Sequence, residues 1–280
     1  MGDFAPEIIK PFLETLLVSC DGEARRAVDP VGFVWDYDDP ADREVVALIS
    51  SCLAYGRVDL LRNAIAQVLA PIGPSPATFL QESSREELST LHSSFVYRMT
   101  RGPDIADLLA GIAKVLHDHG SLEAGYAHGY DDDHLHAASA FVRALRAGRL
   151  REELQRGFAY LLPDPAAGSA CKRLHLFFRW VVRGPDEVDA GLWERPAPSE
   201  LRMPLDTHTS RLCRYIGLTA RKTADGRAVE EVTQALSRLD PDDPLRYDFA
   251  LCHLGISGRC IHRRSPLHCP GCPIEHICTL

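Results

Sequence analysis

The sequence predicts an all-α protein, and three observations predict it. Apolar residues recur at three- and four-residue spacing in segment after segment. No stretch sustains the alternation of a half-buried strand. Proline- and aspartate-rich turns separate the periodic segments, as expected where helices stop and start. At 280 residues, 45% hydrophobic and 25% charged, the chain can bury one large or two modest cores.

The elements follow in order. Residues 6–17 carry Ile8, Ile9, Phe12, Leu16 and Leu17 at helical spacing. Residues 42–55 follow the turn Asp36-Tyr37-Asp38-Asp39-Pro40 and present Val45, Val46, Leu48, Ile49 and Leu53. Residues 58–69 repeat the pattern with Leu61, Ile65, Val68 and Leu69, then stop at Pro71 and Gly73. Helices are also predicted over 85–91, 104–117, 133–147 and 150–161, the last broken by Pro163-Asp164-Pro165. Asp131-Asp132-Asp133 reads as a solvated cap, without the rest of a calcium loop. Residues 169–182, 207–216, 228–239 and 244–254 complete the set. Residues 40–160 are expected to form one domain, and residues 1–39 with 161–280 a second, with a cleft between them.

A formal charge of −8 argues against indiscriminate nucleic-acid binding, which needs excess Lys and Arg, but allows a concentrated basic face. No apolar run reaches the roughly 18 residues of a membrane span. The start, Met-Gly-Asp-Phe-Ala-Pro-Glu, lacks the basic and then apolar regions of a secretory signal. A cytoplasmic monomer is expected.

Nine cysteines cannot all pair with one another. Cys20, Cys52, Cys171, Cys213 and Cys252 are scattered among helical segments and read as small buried thiols. Cys260, Cys269, Cys272 and Cys278 instead form a C-x8-C-x2-C-x5-C run. The short pair can grip one metal centre from a single loop turned by Pro270, Gly271 and Pro273. A 4Fe–4S cluster suits this single run best; structural zinc, which usually takes two short pairs, and unligated thiols are the alternatives.

The tail resembles the iron–sulfur loop of endonuclease III-type DNA glycosylases, in the helix-hairpin-helix superfamily. Their usual spacing is C-x6-C-x2-C-x5-C, so the last three ligands match and the first gap is longer by two. The resemblance implies that this loop touches the DNA backbone through Arg263, Arg264 and His268; a solvated charged loop is the bland reading.

Pro204-Leu205-Asp206-Thr207-His208-Thr209-Ser210-Arg211-Leu212 is similar to a second glycosylase signature. On the residues alone, Asp206 caps the helix beginning at Thr207. The resemblance implies that it is also the catalytic carboxylate, supporting positive charge on the sugar as the base departs. A bifunctional enzyme also needs an amine nucleophile for C1′. Lys172, in Gly168-Ser169-Ala170-Cys171-Lys172-Arg173, is the candidate, with Ser169 expected to cap its helix. A lysine in a first turn opposes the helix dipole, which is expected to lower its pKa. Lys172, His175, Arg179 and Arg183 form a polar stripe opposite Leu174, Phe177, Phe178 and Val181, and a solvated face is the alternative reading.

The order lysine then aspartate matches the family, and the gap of 34 is similar to that of the archaeal 8-oxoguanine glycosylase branch. One stretch departs from the pattern. The family hairpin holds a phosphate on glycine-rich backbone, whereas here it reads Leu161-Leu162-Pro163-Asp164-Pro165-Ala166-Ala167-Gly168. In Cys52-Leu53-Ala54-Tyr55-Gly56-Arg57, the resemblance implies that Tyr55 stacks on a base and Arg57 reaches phosphate or the orphaned base. A core tyrosine is the alternative. Trp180 and Trp193 are candidates to line a base pocket, with core roles favoured for Trp180. Asp186, Asp189 and the loop through Trp193 to Pro198 are a candidate lid.

Residues 54–57, 179–183, 204–208 and 247–251 together resemble a bacterial family known as a domain of unknown function, DUF2400. The combined expectation is excision of a damaged base from duplex DNA, 8-oxoguanine first, with AP lyase activity through a Lys172 Schiff base. A monofunctional glycosylase and a non-catalytic iron–sulfur nucleic-acid-binding protein are the alternatives.

Overall fold

The computed structural model describes residues 5–280, so the expectation drawn from the extreme N-terminus lies partly outside the described residues. The fold is all-α, with 58% helix and 1% strand. No described helix is long and apolar enough to cross a membrane.

Prolines and short polar residues start most helices. α1 (Pro6–Val18) opens on Pro6, and α2 (Gly22–Arg26) is capped by Asp21. α3 (Pro40–Leu53) opens on Pro40 under an Asp39 cap, followed by α4 (Val58–Leu69) and α5 (Pro76–Glu82). α6 (Arg85–Leu91) begins with a Ser84–Glu87 capping box. A two-stranded antiparallel hairpin, β1 (Val96–Tyr97) and β2 (Thr100–Arg101), precedes α7 (Gly102–His119) and α8 (Leu122–Ala127). Then come α9 (His134–Ala147), α10 (Arg156–Leu161), α11 (Lys172–Val182), α12 (Thr207–Tyr215), α13 (Gly226–Ser237) and α14 (Asp248–Ile256).

Several starts differ from the sequence expectation, among them that of α14, expected from residue 244 and found at Asp248, and two have identifiable reasons. The helix expected from residue 150 begins only at Arg156. The Asp107 carboxylate accepts the amides of Leu150 and Arg151, and the Arg151 guanidinium pairs with both Asp104 and Asp107. Those bonds hold the strand of chain in a non-helical course. The helix expected from residue 169 begins at Lys172, because Cys171 adopts a left-handed conformation with φ 42° and acts as the N-cap residue.

The buried apolar residues form two clusters. The first is centred on α3, which is buried from Val45 to Leu53 and packs against α11. α7 and α9 complete it, at very close range: a Cβ on Gly111 would sit 2.3 Å from the Leu145 carbonyl oxygen. The second joins Ile9, Leu13 and Leu16 of α1 to α12, α13, α14 and Ile274. α11 contributes its apolar face to the first cluster and α12 to the second, so the N-termini of these two helices meet where the clusters adjoin.

Candidate active site

Asp206 performs two tasks with two oxygens. Its Oδ1 accepts the amides of His208 and Thr209, both at 2.8 Å, and so caps α12. Its Oδ2 lies 3.2 Å from the Nζ of Lys172, the first residue of α11. The cap fixes the carboxylate, and the oxygen it leaves over faces the amine. The side chains are 29% and 21% exposed respectively, so the pair is partly accessible.

The electrostatics correct one expectation. Burial alone would push the Lys172 ammonium down, yet the Asp206 carboxylate, assisted by Cys252 and Asp29, holds it above the ordinary lysine range. Burial likewise pushes the Asp206 carboxyl up, but Lys172 and the Thr209 amide bring it below the ordinary range. A helix dipole contributes the equivalent of about half a charge, spread over one end. A full carboxylate at ion-pair distance outweighs it. The resting pair is therefore ammonium and carboxylate.

The cap expected from Ser169 is absent, since its hydroxyl accepts the amide of Cys171 rather than one in α11. The polar stripe of α11 is also not solvated. His175 is 3% and Arg179 2% exposed. Arg179 pairs with Asp189 at 3.1 Å and Asp248 at 2.7 Å, and Arg183 pairs with Asp189 and Asp243. Acids from three other segments have converted an apparent surface stripe into a buried ionic network. The segment expected as a lid is consequently strapped down: Asp189 is fully buried, and its neighbours Ala190, Leu192 and Trp193 donate amides to carbonyls of α11. Trp180 and Trp193 are both core residues. Trp193 packs among Tyr126, Phe141, Phe177 and Phe178, and donates Nε1–H to Glu44 at 2.9 Å.

Between α10 and α11 the chain makes a turn that supplies its own anion. Asp164 accepts the amide of Ala166 at 3.0 Å and a hydrogen bond from Ser139. Gly168 completes the turn at φ 75°.

The residues implied in DNA contact come from two segments of the chain. Tyr55 is half-buried: its hydroxyl bonds to Thr100 at 2.7 Å, and its ring packs on Tyr97, Tyr160 and the Arg173 guanidinium. Arg57 is exposed, just before α4, and pairs with Asp59 at 2.8 Å. In the tail, Arg263 and His268 are exposed. His268 bonds to Ser265 at 3.0 Å. Arg264 holds the end of the chain, donating to the carbonyls of Leu280 at 2.6 Å and Cys278 at 3.1 Å.

The four tail cysteines are partly buried and occupy one electrostatic neighbourhood, Cys260 with Cys269 and Cys278, and Cys272 with Cys260 and Cys278. Three of the sulfurs have backbone N–H groups turned toward them: His262 for Cys260, Ser265 for Cys269 at 3.3 Å, and Ile274 for Cys272. Gly271, at φ 74°, makes the turn between the short pair. Among the described residues, no three His, Cys, Asp or Glu side chains converge as a single metal ion requires. His208 and His262, ring nitrogens 3.2 Å apart, connect this tail to the first turn of α12.

Cys252 is the site residue that sequence reasoning missed. It lies on α14 close enough to Lys172 and Asp206 for all three to influence one another, and burial pushes its thiol up to about 12. Asp29 joins the same group, with His253 3.6 Å from it. Nothing in their local sequence marks either residue, because tertiary packing alone brings them to α11.

A family model described as "Protein of unknown function (DUF2400)" matches residues 29–257. The match takes in Lys172, Asp206 and Cys252 and ends just short of Cys260. No curated protein and no solved structure matches the chain.

Proposed function

The chain belongs to the DUF2400 family, and we propose that it is a DNA repair glycosylase of helix-hairpin-helix type with AP lyase activity. The observation that carries this reading is the pairing of Lys172 with Asp206 at 3.2 Å, with the carboxylate locked by two amides. A fixed carboxylate beside an accessible amine is the combination needed to displace a base from deoxyribose. The substrate is duplex DNA with a damaged base, 8-oxoguanine first, bound by a cytoplasmic monomer.

In this reading the Lys172 ammonium first gives up a proton to water. Its Nζ then forms a bond to C1′ as the bond from C1′ to the base breaks, and the base leaves with the electron pair and takes up a proton. Asp206 stabilises the positive charge that develops on the sugar. Ring opening yields a Schiff base, from which loss of the 3′ phosphate by β-elimination cleaves the strand. Borohydride trapping on a panel of lesion-containing duplexes tests the proposal. A covalent adduct with at least one lesion, absent in Lys172→Ala, is expected; no adduct with any lesion removes the lyase reading.

The raised Lys172 pKa favours a second reading, in which Lys172 stays charged and binds phosphate while Asp206 activates water. Base release is then abolished by Asp206→Asn and largely retained in Lys172→Ala.

The support for a 4Fe–4S cluster is the four-cysteine donor set and the backbone amides turned toward three of its sulfurs. Cys260, Cys269, Cys272 and Cys278 would hold the group. Bound there, it supplies a cross-link that fixes Arg263 and His268 as a basic surface, with Arg264 anchoring the chain end.

A further inference from the structure

A cleft of about 430 Å³ adjoins the candidate active site, and neither Lys172 nor Asp206 lines it. Its walls are Gly168 of the α10–α11 turn, His175 of α11, Arg202, Arg221, and Gly226 and Arg227 in the first turn of α13. His175 is three residues beyond Lys172 on the same helix. Gly226 allows the walls to meet. Its amide donates to the Gly168 carbonyl at 3.0 Å, and a Cβ there would stand 3.1 Å from that oxygen.

Three guanidinium groups line the cleft against two carboxylates. Arg221 pairs with Asp225 at 3.0 Å, and the Arg202 Nε lies 3.1 Å from Glu230, at an angle that makes no hydrogen bond. Asp225 is further engaged by the Ala228 amide. Arg227 has no ion pair or hydrogen bond from its side chain among the described residues. Arg227 thus stands at the positive end of a 12-residue helix, acting through space on an Asp225 already engaged by Arg221 and the Ala228 amide.

The second observation is His175. It is 3% exposed, and its Nδ1 has no partner. Burial, with Arg202 nearby, holds the ring neutral. A neutral imidazole offers one donor and one acceptor, and the His175 side chain forms part of the cleft wall. The cleft is far larger than an inorganic anion, and it pairs a cationic wall with a neutral polar one.

We propose that this cleft binds a nucleotide, with the phosphate against Arg227 and the first turn of α13 and the polar edge of the base against His175. The proposal does not rest on excision chemistry. The phosphate chemistry is the same whether the nucleotide is free or belongs to a DNA strand, and the arms of the test separate these sources.

The full-length chain is titrated calorimetrically with the deoxynucleoside 5′-monophosphates, the matching nucleosides, inorganic phosphate, and short single strands with and without a 5′-phosphate. At least one monophosphate or strand binds, and the matching nucleoside binds about tenfold more weakly or worse, as expected on losing a charge-assisted contact. Arg227→Ala, an exposed change, weakens binding by about tenfold with an unaltered melting temperature. His175→Asn reduces the preference among bases, and neither Arg227 nor His175 belongs to the Lys172–Asp206 pair, which keeps this result separate from the excision reading. Binding of strands but not monophosphates assigns the nucleotide to DNA. Two results overturn the proposal: no binding that Arg227→Ala weakens, or inorganic phosphate binding as tightly as every nucleotide.

Discussion

Arg179 Nη1 lies 2.7 Å from Asp248 Oδ2, with both side chains almost wholly buried, and this contact joins α11 to α14 beneath the Lys172–Asp206 pair. Asp189 approaches the same guanidinium at 3.1 Å from the opposite segment. Removing one partner strands a charge where water cannot reach it. Asp248→Asn or Arg179→Met is expected to cost roughly 3–5 kcal/mol of stability. Combining the two should cost less than the sum. Urea denaturation of the two single variants and the double variant measures this, and additive losses would show that the pair is not coupled.

The Lys172–Asp206 pair sets a pH window. Asp206 titrates below its unfolded value of 3.8, so its contribution is present above that value and is lost as pH falls through the folded pKa. Lys172 titrates above its unfolded value of 10.5, so its contribution is complete below 10.5 and is lost as pH rises through the folded pKa. The stability difference between wild type and Lys172→Met should therefore be level between these limits and shrink beyond both. Denaturant midpoints measured across pH would show a slope near neutrality if the pair were not formed.

The same shift governs trapping. If the free amine of Lys172 is the nucleophile, adduct formation should rise by about tenfold per pH unit through the neutral range, because the amine stays mostly protonated there. Single-turnover trapping rates between pH 6 and 9 test this; a flat profile would show that deprotonation of Lys172 does not limit adduct formation.

Protein purified without oxygen should carry four irons and four sulfides per chain on its tail cysteines, with the broad visible absorption of an iron–sulfur cluster. Serine at Cys269 or Cys272 should abolish this signal and lower the melting temperature. Serine at Cys252 should leave the signal intact, because that thiol belongs to the Lys172 site. Stoichiometric zinc in place of iron would overturn the cluster assignment.

Gly111→Ala should destabilise the chain by roughly 1–3 kcal/mol through overpacking, since the added methyl meets backbone that cannot move aside cheaply. Gly73→Ala is the control for backbone conformation alone: its φ is 83° with open space around it. Thermal melts of both variants separate clash from strain.

Helices with both periodicity and local punctuation were legible in the sequence. α4 ends before Pro71, α6 carries its capping box, and α9 follows Asp133, so each was written within its own residues. The hairpin at 96–101 has two residues per strand, too few to show an alternating pattern. The cap on Asp206 was readable for the same local reason as the helices. Its second bond, to Lys172, depends on where two distant helices start, and only the family resemblance pointed to it. The α11 stripe shows the limit most clearly: spacing revealed four polar residues on one side, but Asp189, Asp243 and Asp248, which pair with Arg179 and Arg183, lie outside the helix.

Lys172 and Asp206 are rooted in helices that belong to different apolar clusters. The site is consequently a joint and has no scaffold of its own. A small slippage between the clusters separates amine from carboxylate while every helix remains intact. Under mild heat or low denaturant, function should therefore fade before circular dichroism records any loss of helix. Conditions that press the clusters together should extend its working range without touching a single residue of the site.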